Sequence, residues 1–351
     1  MKTMKAAVFH GVRDVRLEDV PVPEVGPGEV LVKVKAALTC GTDRKSFLRG
    51  MKKPTDAKVP YAKAIRIFGH EYAGDVVEVG EGVSQFKAGQ RVVSANSAPC
   101  NRCFYCKNGR HSLCENLTWL WGAFAEYVKI PAPIVEQNTM VIPDHVAYEE
   151  AALTEPLACV LQGVERSGIG LGDWVVINGV GPIGLMFVVL VKLKGAFIVV
   201  TDLSDERLAV AKRLGADVTI NAGNVEDVVA EVKRNTPGGR GADVAIEAIG
   251  SPATWEKTVL MGRKGATINL FGGCPSNTSI KVDTSLIHYS ELNLLGIFHH
   301  APRYIRRAFD LICAGKIPTK EIVTHRMPLS DVQKALEMIV AGEGIKIALI
   351  P

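Results

Sequence analysis

The chain has almost no excess of either charge: Lys and Arg total 41 against 37 Asp and Glu, a formal net of +4 over 351 residues. So even a balance lacks the electrostatic footprint of a nucleic-acid binder, and no nucleic-acid partner is expected. Long uninterrupted apolar runs are also missing. The N-terminal MKTMKAAVFHGVRDVRLEDV breaks its short apolar stretch at His10, Arg13 and Asp14, so it has no signal-peptide core and a cytoplasmic location is expected. The stretch from Val175 to Val191 approaches the length of a membrane span, but Gly179, Gly181, Pro182 and Gly184 punctuate it. Such punctuation suits a strand, a tight turn and a helix buried in a parallel sheet, and no membrane association is expected. Internal repeats and low-complexity tracts are absent as well. What remains is a chain with 47% hydrophobic residues, long enough for two domains of ordinary size.

The first part, residues 1–153, reads as short strands separated by Gly and Pro: Lys5 to Phe9, Glu29 to Ala37, Tyr72 to Val79, Gln90 to Ser94 and Ala123 to Ile130. Residues 154–297 instead alternate apolar strand-like runs with helical stretches. The expected strands there are Trp174 to Asn178, Ile198 to Thr201, Val218 to Asn221, Asp243 to Glu247, Thr267 to Phe271 and Leu292 to Ile297. About six parallel strands make a dinucleotide-binding sheet, so the fold class is α/β. Residues 298–351 carry two helical patterns, near Tyr304 to Ala314 and Ser330 to Val340, and a closing strand from Ile345 to Ile350.

Four cysteines fall within fifteen residues: Cys100, Cys103, Cys106 and Cys114. A C-x2-C-x2-C-x7-C loop can turn four thiolates inward on one tetrahedral ion at about 2.3 Å, as a closed structural zinc site requires. The rival is a disulfide knuckle, which an intracellular chain disfavours.

Gly179, Gly181 and Gly184 form G-x-G-x-x-G directly after a strand and at the start of a helix, with Pro182 and Ile183 between them. The first glycine permits the turn, the second lets backbone approach a pyrophosphate, and the third allows close helix packing, while the helix N-terminus offers N–H groups to the anion. Asp202 ends the next strand about where an acid accepts from the adenosine ribose hydroxyls. A carboxylate there repels the extra phosphate of NADP, so NAD is the expected cofactor. Arg207 could in principle receive such a phosphate, but the solvated face of a helix is the favoured reading for it.

Cys40, His70, Glu71 and Glu155 are single ligand types scattered over the first domain and its border. Scatter suits an open catalytic metal site, which draws about three ligands from distant elements and leaves a position for water or substrate. Taken singly, each has a plain alternative as a buried thiol, a core histidine or a surface acid.

Together the motifs resemble the zinc-dependent medium-chain dehydrogenases, particularly the polyol (sorbitol or iditol) and threonine dehydrogenase branches. The carriers are CGTD at Cys40 to Asp43, GHEYAGDVVEVGEGV from Gly69 to Val83, the four-cysteine lobe, GAFAEYVKIP at Gly122 to Pro131, EPLAC at Glu155 to Cys159, and the glycine motif. The resemblance spans nearly the whole chain. It implies a GroES-like β-barrel catalytic domain, a Rossmann domain, and a C-terminal segment returning to the catalytic domain, with the active site in the cleft between them. It further implies two zinc ions per chain, the catalytic one held by Cys40 and His70 with Glu71 as an exchangeable ligand. Glu155 stands where ethanol-oxidising relatives have a second cysteine, which aligns the chain with polyol-type relatives.

The implied chemistry is Lewis-acid oxidation of a secondary alcohol or polyol to a ketone, with hydride passing to NAD. Thr42 would take the alcohol proton and Asp43 would orient the His70 ring. Many relatives end the proton relay with a histidine where this chain has Lys45, whose ordinary pKa of about 10.4 makes a poor shuttle. Two stretches are candidates for the substrate pocket: Arg49 to Phe68, rich in Lys52, Lys53, Lys58, Lys63 and Arg66, and the segment holding His299, His300 and Arg303. The alternatives left open are L-threonine 3-dehydrogenase, a dehydrogenase of an anionic polyol, and a non-catalytic NAD(H) sensor. A homo-oligomer, dimer or tetramer, is implied, often paired through the Rossmann edge strand near Leu292 to Ile297.

Overall fold

The computed structural model describes residues 2–50 and 66–351. It divides into two compact units, Met1–Ala158 with His300–Pro351, and Cys159–His299.

In the first unit, β1 (Thr3–Gly11) and β2 (Asp14–Pro21) pair as an antiparallel hairpin. A larger sheet is built around β3 (Val30–Leu38), an apolar strand broken only by Lys33 and Lys35 and buried along most of its length. Its members are β4 (Glu71–Val79), β5 (Arg91–Ser94), β8 (Tyr127–Ile130), β9 (Thr139–Val141), β16 (Val323–Pro328) and β17 (Lys346–Ile350). The order is β16-β17-β3-β4-β5-β9, with β8 also paired to β3. Two short strands, β6 (Ser97–Ala98) and β7 (Thr118–Trp119), pair separately beside the cysteine lobe. Val32, Val34, Phe47, Phe68, Tyr72, Phe124, Leu336 and Leu349 meet in the core, so the last fifty residues are part of this unit's interior.

One register matters for the site. Leu38 of β3 faces Glu71 of β4 on one side and Ala348 of β17 on the other. The C-terminal strand is thereby fixed two strands away from the GHE motif.

The second unit is a six-stranded sheet, parallel throughout: β10 (Trp174–Asn178), β11 (Phe197–Asp202), β12 (Val218–Asn221), β13 (Ala242–Glu247), β14 (Gly262–Leu270) and β15 (Asn293–Gly296). Its order, β12-β11-β10-β13-β14-β15, reverses between β10 and β13, where open α/β sheets bind their ligands. Helix Pro182–Leu193 is apolar along most of its length and buried from Gly184 to Val191, because this sheet is covered by helices. The apolar stretch that approached a membrane span is therefore a strand and a core helix.

Two expectations shift. The strand expected over Ala123 to Ile130 forms only from Tyr127, because the backbone of 123–126 bonds instead to Lys5, Ala7, Phe68 and Gly69. Strand β2 and helix Thr154–Arg166 carry no expectation above. β2 reads DVRLEDVP, and its charged face hides a strand that β1 stabilises by pairing.

Candidate active site and metal centres

Cys40 is the N-cap of helix Gly41–Arg49, and its backbone N–H donates to Asp43 Oδ2 at 2.8 Å. His70 and Glu71 sit at the entry to β4, and both are buried. The donor atoms of Cys40, His70 and Glu71 all lie within 4.8 Å of one another. Thus three of the scattered ligands converge.

The electrostatics of this cluster call for a cation. Burial alone would depress the His70 pKa, yet the Cys40 thiolate, Asp43 and Glu155 outweigh it and raise it to about 10. Asp43 is itself pushed up to about 6 by burial, with His70 and the Cys40 amide pulling the other way. Its Oδ1 faces His70 Nδ1 at 3.8 Å, beyond hydrogen-bond reach, and that nitrogen and Glu71 Oε1 are buried without a hydrogen-bond partner. A buried carboxylate with an unpartnered oxygen, gathered with a thiol and an imidazole, is the arrangement that a divalent ion completes.

Glu155 stands beside this set rather than in it. Buried in the first turn of helix Thr154–Arg166, its Oε1 lies 3.7 Å from His300 Nε2, and that same nitrogen is 3.0 Å from Asn96 Oδ1. Thr42 and Lys45 are exposed on helix Gly41–Arg49. Lys52, Lys53, Lys58 and Lys63, part of the first candidate pocket stretch, lie outside the described residues.

One participant has no counterpart among the sequence expectations. Lys346, the first residue of β17, is buried and pairs with Glu71 Oε2, while also donating to the Thr39 carbonyl at 2.7 Å. Burial lowers the pKa of this ammonium, but Glu71 and Cys40 more than compensate and hold it above its ordinary value. The only hint in sequence is a lysine inside the apolar KIALI strand, and nothing local links it to residue 71.

The cysteine lobe is self-contained. Cys103, Cys106 and Cys114 are buried, Cys100 half-buried, and the four sulfurs lie within 4.8 Å of one another. The Sγ atoms of Cys103 and Cys114 are 3.9 Å apart, near the roughly 3.8 Å edge of a tetrahedron with 2.3 Å metal–sulfur bonds. None of the eight cysteines is in a disulfide, so no disulfide knuckle forms. Backbone amides point at the sulfurs: Cys100 and Asn116 donate to Cys114 Sγ at 3.2 and 3.3 Å. An amide hydrogen bond from Arg102 leads the causes that bring Cys100 down to about 6, whereas burial and neighbouring thiols push Cys106 up to about 12. Four such thiols share one charge problem that a bound cation removes. Both clusters fit zinc.

In the second unit, Gly179 follows β10 with φ +97°, and a Cβ there would meet Ile249 Cγ1 at 2.3 Å. A Cβ on Gly184 would lie 2.0 Å from the Gly179 carbonyl oxygen, so the turn and the helix meet only through glycine. At Gly181, the helix N-cap, a Cβ would meet nothing within 4 Å. Packing does not require that glycine, which leaves it for close approach of a ligand. Pro182 and Ile183 open the helix, half-buried. Asp202 ends β11; its Oδ2 accepts from Val180 N–H at 2.8 Å and its Oδ1 from the amides of Leu203 and Ser204. Arg207 is half-buried in helix Asp205–Arg213, its amide donating to the Ser204 N-cap.

Residues 26–144 match the alcohol dehydrogenase GroES-like domain, and residues 182–314 match the zinc-binding dehydrogenase domain. These define the class: a GroES-like unit joined to a Rossmann-type sheet, acting on alcohols. The chain is 36% identical to sorbitol dehydrogenase of Bacillus subtilis strain 168, over 100% of this chain and 98% of that one. It is also 36% identical to L-threonine 3-dehydrogenase of Symbiobacterium thermophilum, over 95% and 94%. A zinc-binding dehydrogenase from Sinorhizobium meliloti 1021, solved bound to NADP, superposes with a TM-score of 0.90 at 31% identity over 100% of both chains. The chain belongs to the zinc-dependent medium-chain dehydrogenase/reductase family, in its polyol and threonine dehydrogenase branch. It is an enzyme of the alcohol or polyol dehydrogenase type, with zinc and a nicotinamide dinucleotide as cofactors. Among the described residues no helix is long and apolar enough to cross a membrane.

Proposed function

We propose that the enzyme oxidises a sorbitol-type polyol or related secondary alcohol to the ketone, passing hydride to NAD. The observation that carries this reading is the convergence of Cys40 with buried His70 and Glu71. Cys40 and His70 would hold the catalytic zinc, with Glu71 and Glu155 as the carboxylates that complete or exchange within its shell. Bound there, zinc supplies Lewis acidity that makes the alcohol easier to deprotonate.

The remaining roles fall to the chain itself. Helix Gly41–Arg49 positions Cys40 at its N-cap, and Lys346 pairs with Glu71 Oε2 while leaving Oε1 available. Thr42 takes the alcohol proton through its hydroxyl. Gly181, Ile183 and the helix N-terminus meet the pyrophosphate, and Asp202 meets the adenosine ribose. Its carboxylate, already tied to the glycine turn through Val180, is held where a 2′-phosphate would be repelled, which supports NAD over NADP despite the NADP in the Sinorhizobium meliloti relative.

The second reading is L-threonine 3-dehydrogenase, kept in play by an identity equal to that of the sorbitol enzyme. Initial rates with sorbitol, other polyols, butane-2,3-diol and threonine, each with NAD and NADP, decide between them. Polyols and NAD are expected to lead; threonine leading by tenfold would overturn the polyol reading. Eight cysteines with no disulfide among them support a reducing, cytoplasmic compartment, and β15, the terminal strand of its sheet with Leu294 exposed, supports pairing of copies through that edge.

A further inference from the structure

A buried carboxylate at the point where the second sheet reverses its order has no part in the scheme above. Glu247 is the last residue of β13, and in register it lies level with Asn178 of β10 on one side and Leu270 of β14 on the other. Three strand exits therefore leave the sheet together where an open α/β sheet receives its ligand. The side chain is fully buried. Its Oε1 accepts from the backbone N–H of Ile249 at 3.1 Å, from that of Gly250 at 2.9 Å and from the Thr254 hydroxyl at 2.6 Å, while its Oε2 accepts from Gly250 N–H at 3.1 Å. Its own carbonyl accepts from the amides of Phe271 and Gly272, at 3.2 and 2.9 Å. One residue thus ties the turn after β13 with its carboxylate and the exit of β14 with its backbone.

The two exits interlock closely. A Cβ on Gly272 would meet Glu247 Oε2 and Gly250 N at 2.5 Å each, and one on Gly250 would meet the Gly273 carbonyl oxygen at 2.6 Å. Trp255 closes the arrangement, its indole N–H donating to the Gly272 carbonyl at 2.8 Å. The same turn bears on the dinucleotide motif: Ala248 N–H donates to the Asn178 carbonyl at 2.9 Å, and Ile249, which stays exposed, stands where a Cβ on Gly179 would have to lie. An apolar residue, like Ala245 and Ile246 before it, would pack here without the cost of burying a carboxylate. What the carboxylate adds is acceptance of two turn amides and of Thr254, in the first turn of helix Pro252–Met261, which no apolar residue could supply. We propose that Glu247 is a positioning residue for the nicotinamide dinucleotide: its carboxylate clamps turn 248–250, and its carbonyl the exit 271–273, into a pre-set wall beside the glycine turn. A wall ordered in advance lowers the cost of ordering it on binding. This role holds whichever alcohol the enzyme oxidises.

The test reads dinucleotide binding by the zinc-loaded enzyme, from nicotinamide fluorescence on titration with NADH, with NADPH run beside it. Glu247→Ala, which strands both turn amides, is expected to weaken binding about tenfold, and Thr254→Val, which removes one donor, about fivefold. Glu247→Gln keeps an acceptor oxygen in place and should stay within about threefold of the wild type. The second readout is the rise in unfolding midpoint that one fixed dinucleotide concentration produces. That rise should shrink in Glu247→Ala and Thr254→Val, as weaker binding requires, and persist in Glu247→Gln. A carboxylate with a structural role alone would lower the midpoint of the free enzyme and leave both the dissociation constant and the rise as in the wild type. Binding within about twofold of the wild type in Glu247→Ala, or in Thr254→Val should the alanine variant fail to fold, therefore overturns the clamp. A loss in Glu247→Gln equal to that in Glu247→Ala overturns it as well, because acceptance of the turn amides would then not be what matters.

Discussion

The two metal-donor clusters of the first unit solve one problem in opposite ways. The cysteine lobe draws every donor from residues 100–114, turns them inward with short helical turns, and satisfies the sulfurs with nearby amides. The Cys40 cluster assembles a helix cap, the start of a central strand and, through Lys346, the last strand of the chain. The first is a closed set of four like ligands. In the second, mixed ligands leave orphaned atoms and a carboxylate balanced by a buried ammonium. Local chain geometry suffices to build a structural site, whereas a reactive one needs the whole unit to hold unlike groups in each other's field.

This contrast is sharpest under paired substitution. Cys40→Ser should abolish turnover by about a thousandfold or more while the protein keeps one zinc per chain and its stability. Cys103→Ser should instead lose the other ion and cost about 3–5 kcal/mol of stability, since it strands buried thiolates. Metal analysis with urea unfolding separates the two outcomes, and a common loss of both ions would erase the distinction between local and distributed sites.

Next in size is the test of Lys346. Lys346→Met leaves Glu71 buried and uncompensated, for an expected loss of about 3–5 kcal/mol that adding Glu71→Gln should largely restore. Unfolding midpoints of the single and double variants measure the coupling. Restoration absent, the ammonium would be tied to Thr39 and the strand rather than to the carboxylate.

The smallest effect is expected at Lys45, exposed on the Cys40 helix. Lys45→His should preserve kcat within about twofold, because the zinc and hydride chemistry does not run through this exposed side chain. A collapse of kcat would show that the distributed site extends to this lysine.

Much of this was legible in the chain because its signals are short-range. The cysteine spacing, the glycine turn and the acid after β11 each lie within one structural unit, so the pattern that encodes the geometry is contiguous. Cys40, His70 and Glu71 were legible as ligand types, but their meeting depends on β3 and β4 pairing so that Leu38 faces Glu71. Lys346 was not legible. A lysine in an apolar strand has an ordinary explanation until a distant residue is brought against it. β2 was missed for a related reason: its charged sequence is a strand only because β1 lies next to it.

The amino-acid order by itself determined the α/β class, the thiolate lobe and the dinucleotide turn, because each depends on hydrogen bonds and donor spacing within a few tens of residues. Only the tertiary structure brought Glu71 within 4.8 Å of Cys40 and His70, set Glu155 3.7 Å from His300, and paired a lysine near the C-terminus with Glu71. The physical reason is burial. A charge removed from water must be answered by whatever group the fold brings within a few ångströms, and sheet pairing between strands remote in sequence makes that choice.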